Sequence, residues 1–216
     1  MKIKKIGWTT FSITTNNLSV LTDPLILEEL KQSFPKTQSD VIIITKYKNT
    51  PNENILTKEK LDTKIIPDKR DKIMEIYTPG EYEVGGIMIR RGLNEDFYVI
   101  DEKNTRVVYM GAVGKDFDIQ KVKNLGDVDI LILPIGDGDS SMDYETIEKV
   151  ISNIDPAVLI PCAYKEDSDG KLEVKSKEDF LKHFGYGNVR EETAYTVAKK
   201  KVDEENQQSV EVIFLK

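Results

Sequence analysis

The chain has 216 residues, 39% of them apolar, and its 31 basic and 38 acidic residues give a net charge of −7. A chain of this length buries a core without disulfides, and its acidic balance argues against a duplex-DNA binder that depends on bulk positive charge. One cysteine, Cys162, and one histidine, His183, exclude an internal disulfide and any zinc site built from several of those residues.

The first third of the chain predicts short strands and one helix. Alternating or β-branched runs predict strands at residues 2–6, 11–14, 18–22 and 41–45. Asn16-Asn17 predicts a hairpin turn, because asparagine tolerates positive φ. Residues 25–34 predict a short helix that ends before Pro35, and residues 46–57 predict a polar loop.

The rest of the chain predicts further strands and then strand–helix alternation. Strands are expected at residues 65–66, 73–77, 87–91, 97–100, 106–110, 130–134, 158–161, 192–198 and 210–215, and helices at 118–124, 144–152 and 177–184. Residues 78–86 predict turns, and the polar residues 199–208 predict a solvated hairpin tip. No linker divides the chain, so we expect one domain over residues 1–216, of mixed α/β (α+β) class with sheets covered by helices.

Several short segments in chain order carry a resemblance to a known family. They are Gly7-Trp8-Thr9-Thr10-Phe11, Leu21-Thr22-Asp23-Pro24, residues 45–52, residues 79–86, Tyr109-Met110-Gly111-Ala112, residues 134–137 and residues 160–164. Together they resemble the metallo-β-lactamase fold, in particular its branch of small bacterial and archaeal proteins similar to ascorbate-6-phosphate lactonase. The resemblance implies a metallo-β-lactamase-like four-layer αββα sandwich, with a metal site at one edge between the two sheets.

The positions that match the family's metal ligands carry other residue types in this chain. The resemblance implies that active relatives bind one or two divalent metals there, which make hydroxide available near neutral pH. The matching residues are Lys46, Lys48, Thr50, Pro51, Ala112 and Ala163, with Trp8 at an early histidine of the motif. Alanine and proline side chains offer no donor atom, threonine is a poor ligand, and lysine would have to lose its proton first. We therefore expect no zinc site, no cofactor and no hydrolysis of the family type.

The remaining polar residues of these segments define a candidate pocket. Its members are Trp8, Asp23, Lys46, Tyr47, Lys48, Lys115, Asp143 and Lys165. If the lysines converge, they favour a small anionic ligand such as a phosphate or carboxylate; otherwise they extend into solvent. Asp23 is expected to be structural. The acidic loop of Asp137, Asp139 and Asp143 is either a hard-cation site or, as we favour, an ordinary loop with a helix N-cap.

Three functions remain open. The chain is a metal-free binding or structural module (a pseudoenzyme), a hydrolase that acts with an atypical or no metal site, or a subunit whose role is assembly into a homo-oligomer. We lean towards a protein that is not an enzyme. Cys162 is expected to be a buried small hydrophobe and His183 a surface or helix-end residue. No stretch approaches the roughly 18 apolar residues of a membrane span, and we expect a cytoplasmic protein with neither a nucleic-acid nor a membrane partner.

Overall fold

A computed structural model of the chain describes residues 1–30, 34–46, 54–111, 113–138, 141–166, 173–197 and 210–216. The strands are β1 (Lys2–Gly7), β2 (Thr10–Thr14), β3 (Ser19–Thr22), β4 (Thr37–Gln38), β5 (Val41–Ile43), β6 (Ile65–Ile66), β7 (Met74–Ile76), β8 (Gly80–Val84), β9 (Ile87–Arg91), β10 (Tyr98–Glu102), β11 (Thr105–Tyr109), β12 (Ile130–Pro134), β13 (Val158–Cys162), β14 (Val189–Glu192), β15 (Tyr195–Thr196) and β16 (Glu211–Leu215). The helices are α1 (Leu25–Glu29), α2 (Ile55–Lys58), α3 (Tyr144–Ile154) and α4 (Lys177–Phe184), and a short 3₁₀ helix covers Ile119–Val122.

Two large sheets contain most of these strands. The first sheet has the order β15-β1-β2-β3-β5-β7, and the second has the order β14-β16-β13-β12-β11-β10-β9-β8; β4 and β6 form a separate pair. Antiparallel hairpins join β1 to β2 and β2 to β3, and β8 to β11 also run antiparallel. The pairs β3–β5, β5–β7, β11–β12 and β12–β13 are parallel. The strands β1, β3, β5 and β7 therefore all end at one edge of the first sheet.

The central core lies between the two sheets. Alternation along a strand decides which side chains enter it, because successive residues point to opposite faces. In β12, Ile130 and Ile132 belong to this central core, whereas Leu131 and Leu133 face the other way. All five residues of β12 are buried, which is the pattern of a strand covered on both faces.

Helices cover the outer face of each sheet. Leu131 and Leu133 pack in one cluster with Ile147 of α3 and Phe180 of α4. On the other side, Ile42 of β5 packs in a third cluster that includes residues of α1 and α2. The order helix, sheet, sheet, helix is the four-layer αββα sandwich that the sequence predicts, and the predicted fold class is confirmed.

The secondary structure departs from the sequence prediction at a few segments. Gly80–Val84 is a strand within the segment predicted as turns, because Tyr82 and Val84 alternate inward although Gly and Pro flank them. The strand predicted at residues 192–198 is two strands in different sheets, β14 and β15. Helix Ile55–Lys58, with Asn54 as its N-cap, begins inside the predicted loop. The predicted helix at residues 118–124 is a single 3₁₀ turn.

The described helices are all too short or too polar to cross a lipid bilayer. The predicted hairpin tip at residues 199–208 lies outside the described residues.

A buried carboxylate, Asp40, fixes the loop between β6 and β7 to the first sheet. Its Oδ2 accepts hydrogen bonds from the N–H and the hydroxyl of Ser19, both at 3.0 Å. Its Oδ1 accepts from the N–H groups of Asp68, Lys69 and Arg70 at 3.2, 2.6 and 2.8 Å. Burial alone would raise the pKa of Asp40, but these donors outweigh it and lower the pKa below its ordinary value of 3.8.

We predict that Asp40→Asn lowers the free energy of unfolding by about 2–3 kcal/mol at pH 7, because an amide NH₂ would face backbone N–H donors. The charged form of Asp40 stabilises the fold above pH 3.8, and this contribution is lost as the pH falls through the lowered pKa. The difference between the two proteins should therefore shrink in acid. Urea denaturation at pH 7 and pH 3 measures it, with exposed Asp62→Asn as the control. Equal stability of wild type and Asp40→Asn at pH 7 would contradict this stabilising role of Asp40.

Candidate functional site

The segments that follow the strands of the two sheets meet at one edge of the sandwich. The turn after β1 contacts the end of β13, where the N–H of Ala163 lies 3.4 Å from the carbonyl oxygen of Trp8. Both residues have positive φ, 37° at Trp8 and 50° at Ala163. Trp8 is half-buried and packs against both the central core and the outer core of the first sheet. This edge, which we call the site edge, is the one where the resemblance implies a metal site.

Asp23 lies at the centre of the site edge and is 6% exposed. Its Oδ1 accepts from the N–H of Thr45 at 2.7 Å, and its Oδ2 accepts from the Thr45 hydroxyl at 2.8 Å. The hydroxyl oxygen of Tyr109, which comes from the second sheet, lies 2.6 Å from Oδ2. Burial raises the pKa of Asp23 above its ordinary value of 3.8. The hydrogen-bonding contacts with Tyr109 and Thr45 lower the pKa, but by less than burial raises it.

A second set of cross-sheet hydrogen bonds lies beside Asp23. The hydroxyl of Tyr98 is 3.0 Å from the carbonyl oxygens of both Ile44 and Ile76. The guanidinium of Arg91 donates to the carbonyls of Ile44 at 3.3 Å and Tyr77 at 2.9 Å. Burial raises the pKa of Tyr98 to about 12, so its hydroxyl stays protonated as a donor. Backbone carbonyls at the ends of β5 and β7 are thus held by side chains of the second sheet.

Lys5 is a buried cation beside this edge: its side chain is 6% exposed. It forms an ion pair with Glu166, and its Nζ lies 4.6 Å from the ring centroid of Tyr164. Cys162 is fully buried nearby, and burial raises the pKa of its thiol well above the ordinary value. The prediction that Cys162 is a buried small residue is confirmed.

The predicted lysines of the candidate pocket lie at the surface where the structure describes them. Lys46, Lys115 and Lys165 are all exposed. Tyr47, Lys48, Thr50, Pro51, Ala112 and Asp139 lie outside the described residues, so the candidate pocket is described only in part.

The acidic loop contains a helix cap. Asp143 is the N-cap of α3, where its Oδ1 accepts from the N–H of Thr146 at 2.8 Å. Hydrogen bonds with the side chain and the backbone of Thr146 lower the pKa of Asp143. The N-cap alternative for this loop is therefore confirmed at Asp143. Asp137 has a positive φ of 38° in the preceding turn.

The loop after β12 is covered by another part of the chain. The N–H of Lys175 donates to the carbonyl of Gly136, and Lys165 and Ser176 form a parallel bridge. A Cβ at Gly136 would overlap the carbonyl of Ala163 and press on the side chain of Val174. Glycine is thus required here by a close approach of backbone, and residues 173–176 close this side of the site edge.

The side chains at the site edge do not fit the divalent metal that the fold family implies. Among the residues that the structure describes, no three histidine, cysteine, aspartate or glutamate side chains come together as a cation site. Both oxygens of Asp23 are held by Thr45 and Tyr109. The sole histidine, His183, is exposed in the last turn of α4 with its ring 4.6 Å from that of Tyr144, as expected of a helix-end residue.

Sequence reasoning missed most of the partners that hold this edge together. Tyr109, Tyr98 and Arg91 belong to strands whose pairing partners and facing sheet cannot be read from local pattern. Lys5 could have been found, because alternation in β1 places it on the same face as the buried Ile3.

Comparison with known proteins defines the family. Residues 2–163 match the family model of the beta-lactamase superfamily domain. The chain belongs to this family. The resemblance to the metallo-β-lactamase fold is thereby confirmed. The chain is also 26% identical over 200 residues to a UPF0173 protein of Pyrococcus abyssi, with 82% of this chain and 90% of the relative covered.

Solved structures agree at the level of the fold. A Thermotoga maritima protein named as a Zn-dependent hydrolase of the metallo-beta-lactamase superfamily matches with a TM-score of 0.73 and 21% identity over the full length of both chains. The metallo hydrolase Igni18 of Ignicoccus hospitalis matches with a TM-score of 0.56 and 17% identity, with 84% of this chain and 89% of that chain covered. At these identities the structures show a shared fold and nothing more.

We predict that Gly111→Ala lowers the free energy of unfolding by about 1–3 kcal/mol, because its Cβ would overlap the hydroxyl and ring of Tyr109. The cost should largely disappear in the Tyr109→Ala background, where that ring is absent. Gly187→Ala is the matched control, because a Cβ there meets no atom within 4 Å. Denaturant unfolding of the four proteins of the double-mutant cycle measures the coupling. An equal cost of Gly111→Ala in both backgrounds would refute the contact.

Proposed function

We propose that this chain is a beta-lactamase superfamily member that has lost metal-dependent hydrolysis and acts in the cytoplasm as a binding or structural protein. The observation that carries the proposal is the donor set of the site edge. Lysine, threonine, proline and alanine stand at the positions that match metal ligands, and the chain has one histidine and one cysteine in total. A transition-metal site of the family type needs several deprotonated nitrogen, sulfur or carboxylate donors in one place.

Hydrogen bonds between the two sheets at the site edge also support the proposal. Direct hydrogen bonds join the two sheets, through Tyr109 to Asp23 and through Ala163 to Trp8. In the described structure, Asp23, Tyr98, Tyr109 and Arg91 are all engaged with other protein groups. A scaffold that is held together in this way does not need a metal for its stability.

For the alternative of a hydrolase with an atypical or no metal site, three candidate reactive groups at the site edge are buried or already engaged. Burial and a raised pKa keep the thiol of Cys162 protonated and inaccessible. The carboxyl of Asp23 is enclosed by three hydrogen bonds. Lys5 is paired with Glu166. Each group would have to be released before it reacted with a substrate.

The partners expected from the sequence stay predictions. They are a small anionic ligand, a homo-oligomer, and the absence of nucleic-acid and membrane partners. The exposure of Lys46, Lys115 and Lys165 favours solvated lysines over a closed anion pocket.

We predict that the purified protein contains far less than one zinc, manganese or iron ion per chain. We also expect added zinc or a chelator to leave its melting temperature unchanged, because no donor set is present to couple metal binding to folding. Metal analysis by mass spectrometry and thermal unfolding with zinc or EDTA measure both, with the Thermotoga maritima relative purified in parallel. Near-stoichiometric metal that EDTA removes, with a loss of thermal stability, would overturn the proposal.

A further inference from the structure

The hydrogen atoms around Tyr109 can be counted. Its hydroxyl oxygen lies 2.7 Å from the carbonyl oxygen of Thr9 and 2.6 Å from Oδ2 of Asp23. A phenol has one hydrogen to donate, and a carbonyl oxygen only accepts. The hydroxyl of Tyr98 shares its one hydrogen between two carbonyl oxygens at 3.0 Å, but the two Tyr109 contacts are shorter. Contacts of 2.6 and 2.7 Å have the length of O–H···O bonds with a hydrogen each, so we count two hydrogens along the line from Asp23 through Tyr109 to Thr9.

In the described part of the chain, no other group places a hydrogen between Tyr109 and Thr9. The hydroxyl of Thr22 is a neighbour of both: it donates to the Thr9 carbonyl at 3.0 Å, its oxygen accepts from the N–H of Phe11 at 2.8 Å, and it also contacts the Tyr109 hydroxyl. Its one hydrogen does not lie between Tyr109 and Thr9, and the second lone pair of the Thr9 carbonyl is left for Tyr109. The Tyr109 hydroxyl then donates to Thr9, and the hydrogen between Tyr109 and Asp23 has to come from Asp23.

The other contacts of Asp23 agree with a carboxylic acid. A protonated Oδ2 donates to Tyr109 and still accepts from the Thr45 hydroxyl at 2.8 Å, while Oδ1 accepts from the Thr45 N–H at 2.7 Å. Every donor and acceptor in this set is then satisfied. With an ionised Asp23, the single hydrogen of Tyr109 would be shared between the Thr9 carbonyl and Oδ2 of Asp23. Otherwise one of these two contacts, at 2.7 and 2.6 Å, would bring two oxygens together with no hydrogen between them.

The charges that face Asp23 leave it without a direct cationic partner in the described part of the chain. The titratable groups around it are Arg91 of β9, Tyr98 of β10, Tyr109 of β11 and Cys162 of β13. The guanidinium of Arg91 donates to backbone carbonyls instead. The net effect of burial and these neighbours is a raised pKa of Asp23.

We propose that Asp23 is a neutral carboxylic acid at pH 7 and that the uncharged chain Thr45–Asp23–Tyr109–Thr9 clamps the two sheets together at the site edge. Thr9, Asp23 and Thr45 belong to the first sheet and its loops, and Tyr109 belongs to the second. A proton held between two side chains thus occupies the edge where the fold family implies a metal. The clamp stands on the hydrogen-bond geometry alone, so it does not depend on whether the protein is catalytic.

The first test is spectroscopic and uses the wild-type protein. Isotope-edited infrared spectroscopy with labelled aspartate should show the carbonyl stretch of a protonated carboxylic acid at pH 7. The band should be lost in Asp23→Asn and kept in Asp40→Asn, whose carboxyl has a lowered pKa and is ionised at that pH. A wild-type spectrum without the band at pH 7, or a band that survives in Asp23→Asn, would overturn the proposal.

The second test is the pH dependence of stability. A raised pKa stabilises the fold fully below pH 3.8, and that contribution is lost as the pH rises through the folded-state value. The asparagine amide can accept from the Thr45 N–H and donate to both Tyr109 and the Thr45 hydroxyl, so Asp23→Asn keeps the clamp without an ionisable group. Its melting temperature should rise relative to wild type between pH 5 and pH 9.

Tyr109→Phe removes the central hydroxyl and should lower the melting temperature by about 3–8 °C. A difference between Asp23→Asn and wild type that stays flat or falls with rising pH would contradict a neutral Asp23. If a variant fails to fold, the wild-type infrared band still decides the question. Neither result depends on the metal content of the protein, so the clamp and the proposed loss of metal chemistry can fail separately.

Discussion

The hydroxyl of Tyr109 is the point at which the two sheets of this protein are joined at the site edge. It reaches from the end of β11 to the first sheet, where it meets Thr9 and Asp23 at 2.7 and 2.6 Å. Glycine at position 111 leaves room for its ring, and the turn at Trp8 brings the Thr9 carbonyl into range. Polar groups at such a position would be costly if left unsatisfied, since each buried donor or acceptor without a partner costs about 1–3 kcal/mol. The fold is therefore stable at this point only if each of these buried polar groups has a hydrogen-bond partner.

This constraint explains why the fold persists although the residues that match metal ligands have changed. Three cross-sheet contacts of the described residues converge on the site edge: Tyr109 with the Thr9 carbonyl, Ala163 with the Trp8 carbonyl, and the pair Tyr98 and Arg91 with carbonyls that follow β5 and β7. Each uses backbone carbonyls at strand ends as acceptors, and these are present whatever the side chains of the following loops are. These contacts therefore do not depend on which side chains the loops carry. The segment Pro79–Gly86, which matches the family motif, lies apart from these contacts. It contains the edge strand β8 and none of the residues Thr9, Asp23, Thr45 and Tyr109.

The fold was predictable from the sequence, whereas the contents of the site edge were predictable only in part. Strands such as Ile130–Pro134 and helix Lys177–Phe184 follow directly from apolar runs, spacing and caps. The residue types at the positions that match metal ligands could also be read from the sequence. The contact of Asp23 with Tyr109 could not, because the two residues are 86 positions apart and belong to different sheets, whose relative placement depends on the whole sandwich. The convergence of the lysines stays a prediction, because the sequence does not determine in which direction an exposed loop side chain such as Lys46 extends.

The two buried aspartates of the first sheet show how environment, rather than residue type, sets the charge of a side chain. Asp40 receives four backbone N–H groups and a hydroxyl, enough to compensate a carboxylate for lost water. Asp23 receives one backbone N–H and shares two hydroxyls, and its phenol partner needs an acceptor of its own. The direction of the pKa change follows the number and alignment of donors, so it is lowered at Asp40 and raised at Asp23. The net charge of −7 therefore does not describe the charges at the site edge. The central acid of this edge, Asp23, is neutral, and the buried cation Lys5 lies beside it.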